Sequence, residues 1–134
     1  MTGQRRDLNR EKFKSEYLLA VLNNPESNAN KNLKYLRNAM DVRSKLKQFH
    51  PCSEMKCLSK GRSDIVVIKR GKGPESIFAI HNMTENKINY QLNDIDLPKI
   101  IDNDFNTHDF LTSSKYNCKN ISLDPFQVIW LSAL

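Results

Sequence analysis

The sequence predicts an α+β protein in which two helices come first and a small antiparallel sheet follows. Apolar residues recur at three- and four-residue steps over roughly the first 50 residues, as in amphipathic helices. Beyond that point they alternate in short runs separated by turn residues, as in strands. With 134 residues, 39% hydrophobic and 27% charged, the chain has the size of one domain and the composition of a folded protein.

The first helix is predicted to follow a polar loop, where Asp7 or Asn9 can cap its free backbone N–H groups. Pro25 ends this helix near residues 23–24, because the residue before a proline is disfavoured in a helix. Its apolar face contains Phe13, Tyr17, Leu18, Val21 and Leu22.

The second helix is predicted over residues 31–48 and ends before Pro51. Several of its Lys and Arg side chains lie toward the C-terminal end, where the helix dipole favours cations. Phe13, Tyr17 and Tyr35 lie on or beside the apolar stripes and are predicted to pack. The stripe of this helix contains Leu33, Leu36, Met40 and Leu46, with Ala39 and Val42.

About five to six short strands are predicted in the second part of the chain, and the polar stretch 93–106 fits neither helix nor strand periodicity. Turns are predicted over residues 71–74 and 82–86. In the last strand, Phe126, Val128 and Trp130 are expected to share the face that packs in the core. The predicted strands cover residues 65–68, 77–80, 88–92, 121–123 and 126–131.

The net charge of +6 is unevenly distributed. Residues 1–73 contain 17 Lys and Arg against 7 Asp and Glu, a balance of +10, whereas residues 74–134 contain 4 against 8, a balance of −4. Such asymmetry can mark a nucleic-acid surface. Nucleic-acid binding is not favoured here, because the cations are not interleaved with aromatic residues expected to be exposed.

Three cysteines, Cys52, Cys57 and Cys118, cannot all pair within the chain, and a disulfide-stapled secreted fold is not indicated. The N-terminus is charged with no apolar core behind it, and no run approaches the about 20 apolar residues of a membrane span. A cytoplasmic protein is therefore expected. Together with His50 the cysteines lack the paired spacing of a zinc site, and we expect ordinary half-buried thiols and no metal or other cofactor.

Several short motifs occur together in one order, and in that order they resemble sucrose phosphorylases of glycoside hydrolase family 13, the α-amylase superfamily. Residues 3–10 are similar to the family's Gly-Arg-Asp-Ile-Asn-Arg segment. The other matching stretches are Arg43 with Phe-His-Pro at 49–51, the strand and turn at 77–84, Asp-Phe-Leu-Thr at 109–112, and Leu-Asp-Pro-Phe-Gln-Val-Ile-Trp-Leu at 123–131.

The resemblance implies a domain architecture and the absence of the family's catalytic residues from this chain. Residues 1–50 would be the last loop and helices of a truncated (β/α)₈ (TIM) barrel, and residues 51–134 the antiparallel C-terminal β domain. The family's nucleophilic Asp, acid/base Glu and third Asp lie on barrel strands upstream of this segment. Retaining chemistry needs two carboxylates about 5–5.5 Å apart, so this chain is expected to be inactive alone.

Substrate contact could survive in the last barrel loop, because barrel active sites are built by the loops after the strands. By the resemblance, Arg6 or Arg10 would face a sugar or its phosphate, and Asn9 would brace the loop. Alternatively, these arginines pair only with Asp7 or a neighbouring helix. No catalytic and no metal-binding residue is assigned.

Two functions are therefore carried forward. The first is a C-terminal fragment of a sucrose phosphorylase-like enzyme, which would transfer glucosyl units between sucrose or a related glucoside and phosphate. Its expected partners are the sugar substrate, the missing barrel portion, or a second copy through the exposed helix faces; no membrane is expected. The second is a non-catalytic β module that binds carbohydrate or a partner protein.

Overall fold

The computed structural model describes residues 12–59, 61–92 and 106–132. The chain divides into two compact units, Met1–Met40 and Asp41–Leu134. Two helices precede a set of antiparallel strands, which confirms the predicted α+β class. The domain boundary after residue 50 stays a prediction. No helix among the described residues is long and apolar enough to cross a bilayer.

Helix α1 (Ser15–Asn23) begins later than the sequence predicted. Its N-cap is Lys14, which has extended backbone angles and no capping side chain, while Glu16 lies in the first turn. Asp7 and Asn9, which were predicted to cap this helix, lie outside the described part of the chain. The helix ends ahead of Pro25, as predicted.

Helix α2 (Asn28–Lys45) begins three residues before the predicted start. Ser27 explains this difference, because its hydroxyl accepts a hydrogen bond from the backbone N–H of Asn30 (3.1 Å) and so caps the helix. The helix ends at Lys45, and a 3₁₀ turn (Lys47–Phe49) follows where a continued α-helix was expected.

Neither α1 nor α2 contains a buried residue. Phe13, Tyr17 and Tyr35, which were predicted to pack, are 49%, 57% and 43% exposed, and the rings of Phe13 and Tyr17 stack on each other with their centroids 6.0 Å apart. Leu36 and Met40, one turn apart on α2, are 59% and 70% exposed. The other exposed large apolar side chains of this region are Leu18 and Leu19. The apolar stripes read from the sequence are thus only partly covered: Val21, Leu22 and Leu33 are half-buried, whereas Leu36 and Met40 are exposed.

Eight strands follow the helices in the part of the chain that the structure describes: β1 Met55–Cys57, β2 Ile65–Arg70, β3 Ile77–Asn82, β4 Ile88–Tyr90, β5 Asn106–His108, β6 Lys115–Asn117, β7 Ile121–Leu123 and β8 Val128–Ser132. Four of them form the main antiparallel sheet in the order β1-β2-β3-β8. Two smaller two-stranded sheets pair β4 with β7 and β5 with β6.

The core lies on one face of the main sheet. Alternate residues of β2 and β3 enter it, because successive side chains of a strand point to opposite faces. Strand β7 and the segments after β4 and β6 complete it. The core cluster consists of Ile65, Val67, Phe78, Ile80, Leu92, Cys118, Ile121, Leu123, Ile129 and Leu131.

Strand β8 presents the opposite face to the core from the one predicted. Ile129 and Leu131 are fully buried, whereas Val128 and Trp130 are half-buried on the other face. Phe126 lies outside the strand and is 66% exposed. The prediction that Phe126, Val128 and Trp130 form the core face is therefore wrong.

Candidate functional site

The substrate-binding residues predicted from the sequence, Arg6, Asn9 and Arg10, lie outside the described residues. Their contact with a sugar or phosphate stays a prediction. The described chain offers three other places where polar chemistry is concentrated: a cleft beside the 3₁₀ turn, a buried aspartate near β8, and a pair of turns at one end of the main sheet.

The segment after α2 is tied to the sheet by Arg70 on β2. The Arg70 guanidinium donates to the backbone carbonyls of Gln48 (Nε, 3.1 Å) and His50 (Nη2, 2.8 Å). The Gln48 side-chain amide donates to the carbonyl of Glu75 at 2.7 Å. The two bonds from the Arg70 guanidinium are charge-assisted, and such bonds are stronger than neutral ones. Arg70 therefore positions residues 48–50 on the sheet.

Trp130 packs within the protein, although its face of β8 is not the core face, contrary to the sequence prediction. Its ring lies 4.6 Å from the ring of Phe49, measured between centroids, with the planes tilted by 41°. This contact is on the sheet face opposite the core cluster. Trp130 therefore holds the 3₁₀ turn to the sheet.

An open cleft of about 580 Å³ lies beside this segment. Its two carboxylates are held in ion pairs, Glu54 with Lys72 at 3.3 Å and Glu75 with Lys47 at 2.6 Å. Gly71 also lines the cleft; its φ is +81°, and a Cβ there would lie 2.9 Å from Cγ of Gln48. Both acids are therefore engaged in ion pairs with lysines, and because all four side chains are more than half exposed, these pairs contribute little to stability.

The three cysteines differ in their surroundings. Cys52 and Cys57 are exposed and Cys118 is buried, so the expectation of half-buried thiols is not met. A hydrogen bond with Ser59 (3.3 Å) lowers the pKa of Cys57, whereas burial raises the pKa of Cys118 to about 12. Among the described residues, no three His, Cys, Asp or Glu side chains form a group that could hold a metal ion.

Asp109 is a fully buried carboxylate with an internal role. Its Oδ1 accepts hydrogen bonds from the backbone N–H groups of Trp130 (2.7 Å) and Leu111 (3.1 Å), and its Oδ2 accepts one from the Thr112 hydroxyl (2.7 Å). A buried carboxylate with such partners is satisfied. Asp109 therefore ties the turn after β5 to strand β8.

Asn82 organises the pair of turns at the end of β3. It is 2% exposed, and its amide nitrogen donates to the carbonyls of Asn86 (2.7 Å) and Asp124 (2.8 Å). Its amide oxygen accepts from the backbone N–H and the hydroxyl of Thr84, each at 2.9 Å. Every polar atom of this side chain is thus satisfied, and one residue joins two turns that are far apart in sequence.

Phe126 lies in the second of these turns. Its φ is +55°, a left-handed conformation that non-glycine residues seldom adopt. Its backbone N–H donates to the carbonyl of Thr84 (3.0 Å), and the next N–H, that of Gln127, donates to the carbonyl of Asp124 (3.1 Å). The turn is fixed on both sides, and the ring is left facing solvent.

The basic helix α2 carries exposed aromatic and apolar residues. Tyr35, 43% exposed, lies beside Lys34 in sequence. An exposed aromatic residue thus lies next to a cation, contrary to the expectation used against nucleic-acid binding. The positive charge of this region remains the feature that would bind a nucleic acid.

The comparisons with known proteins rest on structure alone, because no protein-family model and no curated protein matches the sequence. The fold is similar to part of AmyP, solved in complex with maltose, over 80% of this chain with 17% identity and a TM-score of 0.63. It is also similar to part of Bacillus licheniformis trehalose-6-phosphate hydrolase over 83% of this chain, with 18% identity and a TM-score of 0.57.

The matched region is 21% of the AmyP chain and 19% of the hydrolase chain, so this chain spans about a fifth of each. At this identity the likeness shows a shared fold alone, and the family predicted from the motifs stays a prediction.

The sequence did not predict that Phe126 lies in an exposed turn or that Asp109 is a buried hydrogen-bond acceptor. The predicted strand 126–131 includes Phe126, although the turn-forming pair Asp124-Pro125 directly precedes it. Asp109 was noticed only as a motif residue, and nothing in its sequence position reveals that its carboxylate reaches the backbone of residue 130.

Proposed function

We propose that this chain is the C-terminal segment of a cytoplasmic sucrose phosphorylase-like enzyme that transfers glucosyl units with retention. The observation that supports the proposal is the fold match over four-fifths of the chain to about a fifth of two α-amylase-family enzymes. The ordered motifs point to the same superfamily. The segment is inactive alone, because the catalytic carboxylates of the family belong to the barrel strands that would precede it.

The uncovered faces of α1 and α2 support this proposal. Burying an apolar side chain of the size of Leu or Met is worth about 1.5–3 kcal/mol. Leu19, Leu36 and Met40 are each more than half exposed and forgo much of that energy. In the proposed parent enzyme, the rest of the barrel covers these side chains.

A chimera tests the proposal. This chain replaces the matching fifth of the B. licheniformis trehalose-6-phosphate hydrolase, and the same enzyme without any C-terminal segment is the control. We expect a soluble chimera that hydrolyses trehalose 6-phosphate and a control that aggregates. A chimera that is folded but no better than the truncated control would contradict the proposal. The isolated chain should form no glucose 1-phosphate from sucrose and phosphate.

The predicted substrate contacts are tested in the same chimera. Arg6→Ala and Arg10→Ala should raise the KM for the phosphorylated sugar, because a guanidinium binds phosphate through two oxygens at once. Asn9→Ala should lower activity less, since its expected role is to brace the loop. Arg62→Ala is the matched control, because Arg62 pairs with Asp64 on the surface. An equal effect of all four changes would refute the assignment.

A second function, carbohydrate binding by the β unit itself, is favoured by one specific observation. Phe126 holds its ring in solvent on a turn that its neighbours fix. Isothermal titration of the whole chain with maltoheptaose, sucrose and glucose 1-phosphate tests this function. Absence of any signal at millimolar ligand would rule it out.

A further inference from the structure

The turn that carries Phe126 combines two features that rarely occur together. The ring is 66% exposed, although aromatic side chains usually contribute large buried areas. The backbone is held at a φ of +55°, and strained backbone of this kind persists only where the surroundings impose it. Packing in the core therefore does not explain why a phenylalanine occupies this strained position, whereas contact of its ring with a ligand would.

The frame beneath the ring is rigid. The Phe126 N–H is bonded to the carbonyl of Thr84, and the carbonyl of Asp124 accepts both from Gln127 N–H and from the buried amide of Asn82. The Gln127 side-chain oxygen accepts in turn from the backbone N–H of Asp124 at 2.8 Å. A ligand that stacks on this ring therefore orders little of the protein, and the entropic cost of binding is small.

Asp124, two residues before Phe126, and its ion-pair partner Lys87 suit a hydroxylated ligand. Asp124 and Lys87 form an ion pair at 3.3 Å whose side chains are 70% and 65% exposed, so both keep free hydrogen-bonding capacity toward solvent. A pyranose has an apolar C–H face and a rim of hydroxyl groups. It can place that face on an aromatic ring and hydrogen-bond its rim to a carboxylate and an ammonium.

We propose that Phe126 is the stacking platform of a surface carbohydrate-binding site, with Asp124 and Lys87 as its hydrogen-bonding rim. The ligand class is a neutral hexopyranoside, bound through one or two sugar units. This inference rests on the second proposed function and names the site that would perform it. It requires no catalytic residue and is independent of whether a barrel accompanies the chain.

The test is a titration of the full chain with maltoheptaose, followed by ¹H–¹⁵N NMR. Phe126→Gly removes the ring and adopts a positive φ without strain, so it should fold at least as well as the parent. Phe126→Asn, which also tolerates this conformation, is the second ring-deleting variant. Phe126→Trp enlarges the platform. Met83→Ala, which deletes another exposed apolar side chain in the neighbouring turn, is the matched control.

We expect millimolar binding that weakens at least tenfold in Phe126→Gly and Phe126→Asn, is kept or tightened in Phe126→Trp, and is unchanged in Met83→Ala. Shift changes should centre on residues 84–87 and 124–127. If all variants bind like the parent, the site is wrong although carbohydrate binding stands. If the parent chain does not bind up to the solubility limit of maltoheptaose, both the site and the second function are overturned.

Discussion

Single side chains decide where the turns of the β unit lie, and Asn82 is the clearest case. Its four hydrogen bonds join residues 84–86 to Asp124 without any apolar contact being required. An unsatisfied buried polar group costs about 1–3 kcal/mol, and more when it is charged. The geometry around Phe126 therefore depends on a residue that is not itself at the surface.

Asn82→Asp should destabilise the protein by about 3 kcal/mol, because a carboxylate would replace the two N–H donors and face two carbonyl oxygens. Asn86→Asp is the matched control: Asn86 is exposed and takes part through its backbone carbonyl, so the same substitution should change the stability by less than about 0.5 kcal/mol. Urea unfolding of both variants measures the difference. Equal effects would show that the amide of Asn82 does not organise the turns.

His81 should make the stability of the protein depend on pH. It lies between Val66 and Val128 in the sheet register, and burial lowers its pKa below the ordinary value of 6.5. The unfolded chain therefore takes up the proton first, so this contribution to stability is present above pH 6.5 and is lost as the pH falls below it.

His81→Gln should flatten the stability profile between neutral and mildly acidic pH, since it removes the group that must be protonated on unfolding. The exposed His108 provides the control in His108→Gln. Thermal unfolding over a pH series gives the readout. A parent and a His81→Gln variant with parallel profiles would be inconsistent with a desolvated His81.

Among the elements, strand β8 shows why a sequence pattern can place a strand and still miss its orientation. Val128, Ile129, Trp130 and Leu131 are all apolar, so alternation does not distinguish the two faces. The core face is set by pairing, since Ile129 lies opposite Ile80 and Leu131 opposite Phe78. The positive φ of Phe126 takes that residue out of the strand altogether.

Other elements were predictable to the extent that their own residues carry the signal. Strands β2, β3 and β7 are apolar and were found. Strands β5 and β6, Asn-Thr-His and Lys-Tyr-Asn, were missed because neither has an apolar alternation, and they pair only with each other. Helix α2 was found, but its predicted start at residue 31 is three residues too late, because the sequence analysis did not identify Ser27 as the cap.

Because the two faces of β8 differ in burial, truncating two adjacent side chains should lower the free energy of unfolding by unequal amounts. Ile129→Ala should cost about 3 kcal/mol, because it leaves a cavity in a fully buried site. Val128→Ala, on the half-buried face, should cost about 1 kcal/mol or less. Denaturant unfolding compares the two variants. If Val128→Ala were the more costly, the core would lie on the face first predicted from the sequence.

At the scale of the whole molecule, the change of apolar periodicity along the sequence predicted helices before sheet, as the structure has them. The order of motifs predicted a family, which stays a prediction, and it could not establish the activity, because the shared part is about a fifth of each matched enzyme. Binding by such a segment would depend on exposed side chains, and exposed positions show little hydrophobic periodicity from which they could be predicted.

The exposed apolar side chains of the helices predict that the isolated chain self-associates. Leu36 and Met40, 59% and 70% exposed, lie four residues apart on α2 and so on the same side of the helix. Exposed apolar patches of this kind promote association. We expect sedimentation velocity to show concentration-dependent oligomers of the parent chain.

The double variant Leu36→Glu/Met40→Glu should shift that distribution toward monomer, because it replaces both apolar side chains with charges. Asn32→Glu/Asn38→Glu alters the net charge by the same amount on the same helix and leaves the apolar side chains in place. If association is driven by the apolar face, only the first variant becomes monomeric; if both do, the reduction of the helix's positive charge is responsible. A parent chain that is monomeric at every concentration would mean that these faces need no cover.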